Sequence, residues 1–394
     1  MSPLYDVIVI GGGPAGACAA WKLARAGMTV AVLEKAALPR YKVCGGGLVG
    51  RTMRSLPIDV RHVVEQECHR ARLDFVSSGL SFVTQRTVPV VSMVMRSEFD
   101  RALLSAAQAE GAAIHESCVV ESLSRHDDSV TVMTAKGPMR AGFVVAADGA
   151  LSPVARSMGW EDGRVLIPAL EYEVTVPFDR VRRFEGTARF DFDVISRGYG
   201  WVFPKRRHLS IGVLSMDKQR HGLHAAITRY MDLLGCTSPL SVERHGFVIP
   251  VRPRKGPFAK NRVLLVGDAA GFADPITGEG ISYAVRSGLL AAESLIGERS
   301  QEETVEDAYR RLVAQAILPD LRVGRILARL LYDCPRVRTW VFSRQGQWLC
   351  ETVTDVMAGT RQYRDLVRPG SVFRFFTARR LSRWMGRSSQ ARQG

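Results

Sequence analysis

Long apolar stretches are missing from this sequence. No segment reaches the ~18 uncharged residues that a membrane-spanning helix needs. Paired cysteines are missing as well. The 7 cysteines are scattered and none sits at CxxC spacing, which argues against a disulfide framework and a zinc site and for a reducing compartment, with a cytoplasmic location expected. No Lys or Arg precedes Lys22, and Val7–Ile10 runs straight into glycines, so the amino terminus does not read as a secretory signal. Acid is in short supply: 39 Asp and Glu stand against 54 Lys and Arg, giving a net charge of +15. That balance favours an anionic membrane surface, a phosphate-bearing substrate or nucleic acid. No nucleic-acid motif accompanies it, so nucleic acid is not an expected partner.

What is present is a globular composition. Of 394 residues, 46% are hydrophobic and 24% charged, enough for two or three packed units. Tyr5–Ile10 reads as a buried parallel strand. Gly11, Gly13 and Gly16 follow as G-x-G-x-x-G, with Ala15 inside the motif. A helix to about Ala26, a Gly27 cap and a second strand over Met28–Leu33 come next, with Glu34 and Lys35 at its end. Each part has a mechanical reason. Gly11 allows the tight turn, Gly13 admits a pyrophosphate and Gly16 lets helix meet strand. The helix N-terminus offers free N–H groups and a partial positive charge. Glu34 is placed to accept hydrogen bonds from ribose hydroxyls.

Two distant segments extend the pattern. Val263–Val266 is a strand ending in Gly267-Asp268-Ala269-Ala270, and a loop with Gly278 and Gly280 leads into a helix over Ile281–Ile296. Asp268 is positioned either to bond a ribityl hydroxyl or to cap a helix. Phe143–Ala147 is another strand, ending in Asp148-Gly149. Ahead of that strand, Ser97 reads as an N-cap, with Asp100 at N3, of a helix to about Glu110. Arg96, just ahead of it, suits a phosphate or the adenine edge; the alternative is an ordinary surface arginine. Only the G-x-G-x-x-G at Gly11, Gly13 and Gly16 sits in a strand–helix–strand unit, so no second, NAD(P)-type βαβ unit is expected.

The segments VIVIGGGPAGACAAWKLARAGMTVAVLEK, VVAADGALSPVAR and VLLVGDAAGFADPITGEGI resemble the three flavin fingerprints of the glutathione-reductase-type FAD superfamily, in its para-hydroxybenzoate-hydroxylase-like branch. The resemblance implies an α/β (α+β overall) fold. A discontinuous Rossmann-like FAD domain (1–55, 95–158 and 255–298) would carry an inserted mixed β-sheet substrate domain (56–94 and 159–254) and a C-terminal helical region (299–394). It also implies bound FAD, contacted by Gly11, Gly13, Ala15, Gly16, Glu34, Lys35, Cys44, Gly45, Gly46, Leu48, Arg96, Val120, Asp148, Asp268, Gly278, Gly280 and Ile281.

Two further segments sharpen the likeness. Tyr41-Lys42-Val43-Cys44-Gly45-Gly46-Gly47-Leu48 and Gly198-Tyr199-Gly200-Trp201-Val202-Phe203-Pro204-Lys205 resemble the glycine loop and aromatic strand of the geranylgeranyl reductase family. That family reduces isolated C=C bonds of polyprenyl chains on diphosphates, pigments, lipids or quinones. Glycines let backbone lie against a flavin ring. Tyr199, Trp201 and Phe203 alternate along a strand and share one face, which would wall a prenyl tunnel together with Gly47 or simply fill a core. By the resemblance, hydride comes from flavin N5, Tyr199 and Trp201 stabilise charge on the alkene, and Cys44 relays the proton; Cys44 is alternatively a packing thiol. The reductant, NADPH/NADH or ferredoxin, would dock transiently. The chain departs from the family in two places. Arg206-Arg207-His208 replaces a Gly-Asp turn, and Cys-Gly-Gly-Gly-Leu tilts the reading toward lipid or quinone chains.

Val305–Tyr332 reads as helical. The tail interleaves Arg374, Arg379, Arg380, Arg383 and Arg387 with Phe373, Phe375, Phe376, Leu381 and Trp384, the pattern of an interfacial anchor or of a basic helix docked on its own domain. Membrane association is therefore one expectation. A flavin monooxygenase, hydroxylase or, further off, halogenase on the same fold is the alternative enzyme. A prenyl carrier with structural FAD is the non-catalytic one.

Overall fold

The computed structural model describes residues 4–217, 222–297 and 303–366. The basic tail over 371–394 lies outside the described residues.

The first sheet grows from Leu4–Ile10, whose parallel neighbours are Val30–Leu33 and Gly137–Ala146. Ala113–His115 and Val263–Leu265 extend it in parallel, while Val130–Thr134 and Val120–Arg125 hang from the long strand as an antiparallel pair. Val7, Ile8 and Val9 are fully buried, as expected for a parallel strand covered on both faces. Burial of each such side chain is worth about 1.5–3 kcal/mol. Helices Pro14–Arg25, Arg96–Ala109 and Ile281–Ile296 pack beside it. The first and third meet at backbone distance, because a Cβ on Gly288 would lie 2.1 Å from the Ala15 carbonyl oxygen. The outer fingerprints are thereby clamped together.

The second sheet has seven strands in the order Ser241–Pro250, Leu166–Thr175, Leu209–Ser215, Gly198–Pro204, Thr187–Phe192, Arg70–Phe75 and Leu80–Gln85. All pairs are antiparallel except Thr187–Phe192 with Arg70–Phe75. Its register aligns Phe190, Trp201, Gly212, Glu171 and His245 in one row across five strands. The next row aligns Phe203, Ser210, Glu173 and Glu243. Directly paired residues point to the same side, so aromatics and acids share one face. A small third sheet, Gly47–Val49, Val91–Val94 and Val64–Cys68, lies between the glycine loop and the rest.

Two sequence expectations shift. The helix expected from Ser97 begins at Arg96 with Met95 as its N-cap, and no side chain caps it. Asp100 instead takes both Arg96 nitrogens, at 2.8 Å each, a bidentate buried pair that outweighs a cap. The helix expected over Val305–Tyr332 is two, Val305–Ala316 and Leu318–Asp333. Pro319 falls in the first turn of the second, where its missing N–H is harmless, whereas inside a continuous helix it would break a hydrogen bond. A longer helix, Pro335–Ala358, crosses the edge strand Leu80–Gln85, with Gly346 against the Phe82 ring. No helix among the described residues is long and apolar enough to cross a membrane.

Candidate flavin and substrate site

The turn after the first strand is built for backbone proximity. Gly11 has φ +104°, and a Cβ there would lie 2.4 Å from the Ala147 carbonyl oxygen. A Cβ on Gly16 would lie 2.0 Å from the Gly11 oxygen. Gly13 differs: its nearest neighbours are the guanidinium tips of Arg40 and Arg96, at 3.9 and 4.0 Å from a Cβ position. The helix that starts there carries no side-chain cap and no acid in its first turn. Open space, free N–H groups and two guanidiniums form a cradle for an anion.

Glu34 lies beside it, 3% exposed, accepting from the Gly12 amide at 2.9 Å and the Ala36 amide at 3.1 Å. Arg40 closes on Glu34 at 3.1 Å and on Asp100 at 3.2 Å. Burial opposes the charge on Arg96, but Asp100 and then the Cys44 thiol outweigh it, and its pKa is raised. Arg96 is thus a mostly buried link between the Gly13 cradle and the glycine loop, not a surface arginine. Lys35 is exposed. Val120 opens its strand close to Cys118, whose amide donates to the Glu34 carbonyl.

At the second fingerprint, Asp148 gives its oxygens to Ser152 at 2.7 Å and the Val154 amide at 2.9 Å, holding its own turn. At the third, the Asp268 carboxyl accepts no hydrogen bond among the described residues and stands 3.1 Å from a Cβ position on Gly280, the N-cap of helix Ile281–Ile296. Burial raises its pKa, while Lys42, Arg96 and Arg164 pull it back down. An acid without a partner beside a helix N-terminus suits a polyol hydroxyl. Gly278 lies against Leu214 and Ile249 of the large sheet. These residues fit a dinucleotide that runs from the Gly13 cradle toward Asp268 and the glycine loop.

The glycine loop lies on the mixed face of the seven-stranded sheet. A Cβ on Gly45 would meet the Trp201 Nε1 and the Phe203 ring, each at 2.9 Å, and one on Gly47 would lie 3.1 Å from Phe203. Gly46 has φ +64°, and its Cβ position is 2.0 Å from the Val94 oxygen. Leu48 is fully buried in the small sheet. Tyr199, Trp201 and Phe203 share the face that alternation implies, with centroids 6.2 and 6.4 Å apart along the strand. The Tyr199 hydroxyl donates to the Thr277 carbonyl, tying the strand to the third fingerprint. Gly212 lies flat beneath the Trp201 ring, where any Cβ would overlap it. Farther along, Ile167, Met216, Val251 and Tyr332 line a cavity rimmed by Arg252, Arg325 and Arg329.

Several residues were not singled out from sequence. Arg40 carried no signal beyond its place after the second strand. Lys205 follows the aromatic strand directly, yet it is 1% exposed, donating to the Gly45 carbonyl at 2.9 Å and the Val94 carbonyl at 2.8 Å. Glu171 and Glu173 had a legible signal: two acids two residues apart within an apolar strand must share a face. The Arg206-Arg207-His208 segment forms the hairpin turn. Arg206 is exposed and reaches the Val64 carbonyl at 3.1 Å.

Residues 4–182 match the FAD binding domain family. The chain is 32% identical over 349 residues to digeranylgeranylglycerophospholipid reductase 2 of Methanothermobacter thermautotrophicus, covering 82% of this chain and 88% of the relative. It is 30% identical over 354 residues to the chloroplastic geranylgeranyl diphosphate reductase of Oryza sativa, covering 83% and 75%. A geranylgeranyl bacteriochlorophyll reductase-like protein of Thermoplasma acidophilum superposes with a TM-score of 0.75 at 22% identity over 95% and 96% of the two chains, a likeness of fold. With cradle, glycine loop and aromatic strand assembled around one site, the chain belongs to the geranylgeranyl reductase family of FAD-dependent oxidoreductases.

Proposed function

We propose that the protein saturates C=C bonds of a polyprenyl chain laid along the edge where the glycine loop meets the aromatic strand. The observation that carries this reading is the contact of Gly45 and Gly47 with Trp201 and Phe203, which brings backbone suited to a flat ring onto an apolar aromatic wall. Bound FAD, once reduced, supplies the hydride. The chain's own residues do the rest. Trp201, Tyr199 and Phe203 exclude water and offer ring faces to positive charge developing on the alkene. Gly45–Gly47 hold the loop close enough for short-range transfer. The Cys44 thiol, beside Arg96, donates a proton to the second carbon. Cys44→Ser is expected to retain FAD and to slow the reduced enzyme's reoxidation by substrate; full turnover with normal flavin content would remove the thiol from the mechanism.

The arginines around the cavity at Tyr332 favour a substrate whose prenyl chain ends in an anionic head. The electron donor docks at the flavin, since the sequence shows no second, NAD(P)-type βαβ unit. The basic, aromatic tail supports peripheral attachment to anionic lipid, and removing residues 371–394 should release the protein from such vesicles. The reductase reading is tested by oxygen. Product should form from pre-reduced protein without air and should gain no oxygen atom. An oxygenated product that appears only in air would establish a monooxygenase instead.

A further inference from the structure

The same sheet face that carries the aromatics carries a buried acidic pair. Glu171 is 1% exposed and Glu173 8%. Register places Glu171 opposite Gly212, which underlies Trp201, and Glu173 opposite Ser210 in the Phe203 row. Glu171 Oε1 accepts from Ser210 at 2.7 Å, and the Cys44 amide lies against the same carboxyl. Glu173 receives the Tyr41 hydroxyl at 3.3 Å and faces His208 Nε2 at 3.1 Å.

Several buried polar atoms on this face are poorly paired. Glu171 Oε2 and Trp201 Nε1 make no hydrogen bond, and Glu173 Oε2, His208 Nε2 and His245 Nε2 have ion-pair neighbours but no well-formed hydrogen bond. Leaving such atoms unsatisfied is costly, and their gathering on two adjacent rows of one face marks a place that takes a proton, solvent or ligand. Charge agrees. The buried ammonium of Lys205 faces two carboxylates, so a single retained proton leaves the three groups neutral.

We propose that Glu171 and Glu173 hold one proton beneath the glycine loop and act as the proton reservoir for alkene reduction, refilled from solvent at His208. The inference rests on the reductase reading. The alkene accepts a hydride from reduced flavin at one carbon, and its π electron pair forms the second C–H bond with the Cys44 proton. The thiolate left behind recovers a proton from Glu171. Glu171 recovers its own through Glu173 and His208, which lies in the exposed hairpin turn. The flavin ends oxidised by two electrons and the chain reduced by two. Glu171 acts through Cys44 and is a positioning and relay residue.

Burial, and then Glu173, push the Glu171 carboxyl from its ordinary 4.5 up to about 7. The groups around it are Glu173 on its own strand, Tyr41 and Cys44 from the glycine loop, Lys205 and His208 from the hairpin, and His245 from the neighbouring strand.

The test uses the FAD-loaded protein turning over without air, with excess dithionite and geranylgeranyl diphosphate, so that the Cys44 proton must be replaced at every cycle. Wild-type steady-state turnover should be fastest below pH about 7 and fall above it. Glu171→Gln should slow turnover by about 10²–10⁴ and flatten the pH profile, while the first reoxidation of pre-reduced protein keeps its rate. Flavin content and substrate affinity should stay unchanged, and Glu171→Asp should recover part of the rate. An infrared pH titration of the oxidised wild type, with no substrate, should show a protonated carboxylic acid that ionises near neutrality and is absent from Glu171→Gln. Should that variant fold poorly, the titration of wild type against Glu173→Gln carries the test. The sign for stability is also fixed. The unfolded chain ionises first, so this group lowers stability as pH rises from 4.5 to about 7. Wild-type rates and pH profile in Glu171→Gln, or no titrating carboxylic acid, would overturn the reservoir and leave the reductase standing. Failure of wild-type protein to reoxidise with any prenyl substrate would overturn the reductase reading itself.

Discussion

The cradle at Gly13 and the mixed face at Trp201 solve different problems. The cradle uses backbone. Gly11 and Gly16 are glycines because carbonyl oxygens lie 2.4 and 2.0 Å from where a Cβ would be, whereas Gly13 faces open space rimmed by two guanidiniums. The face uses side chains: aromatics, two acids and a lysine brought together from three strands by register. Backbone demands leave a mark in consecutive residues. Register does not, so the two halves of one site differ in how plainly they are written.

That contrast can be broken from either side. Gly16→Ala should have the largest effect. Its Cβ overlaps backbone, so stability should fall by about 3 kcal/mol or more, and purified protein should be colourless with a lowered melting temperature. Trp201→Ala should cost about 3–5 kcal/mol and keep the yellow colour, while prenyl-driven reoxidation collapses. Loss of flavin in this variant would mean that the face and the cradle are a single unit. Gly13→Ala should sharpen the comparison. Its Cβ would reach only ordinary contact with the Arg40 and Arg96 tips, at 3.9 and 4.0 Å, so the melting temperature without flavin should hold. FAD affinity should drop about 10- to 100-fold, the worth of one or two charge-assisted contacts, as read by titration of the apoprotein. Arg206→Gln with Arg207→Gln should change stability by less than about 0.5 kcal/mol, because the turn is exposed; a raised KM confined to anionic substrates would assign the pair to the substrate head.

The legibility of the sequence follows the same division. The strand–turn–helix over residues 5–25, the acid at Glu34 and the approach of helix Ile281–Ile296 all follow from spacing, because a dinucleotide requires them locally. Alternation placed Tyr199, Trp201 and Phe203 on one face, as observed. The partners of that face were hidden. Glu171 and Glu173 come from a strand Leu166–Thr175 whose neighbour begins at Leu209, and only pairing reveals that they meet the aromatic rows. Arg40 was hidden for a similar reason, since its acids, Glu34 and Asp100, come from different elements. Asp100 itself was read as a capping residue, and the buried Arg96 pair claimed it. Pro319 could have signalled the break between the two C-terminal helices, since proline starts helices and does not continue them.

The most direct measurement is anaerobic. The purified protein is reduced with dithionite and mixed with geranylgeranyl diphosphate, a geranylgeranylated lipid or menaquinone, while flavin absorbance and product mass are followed. Reoxidation of the flavin with a gain of one H2 for each double bond saturated is the predicted result. A flavin that stays reduced with every prenyl compound, then oxidises on admission of air and yields an oxygenated product, would contradict the account.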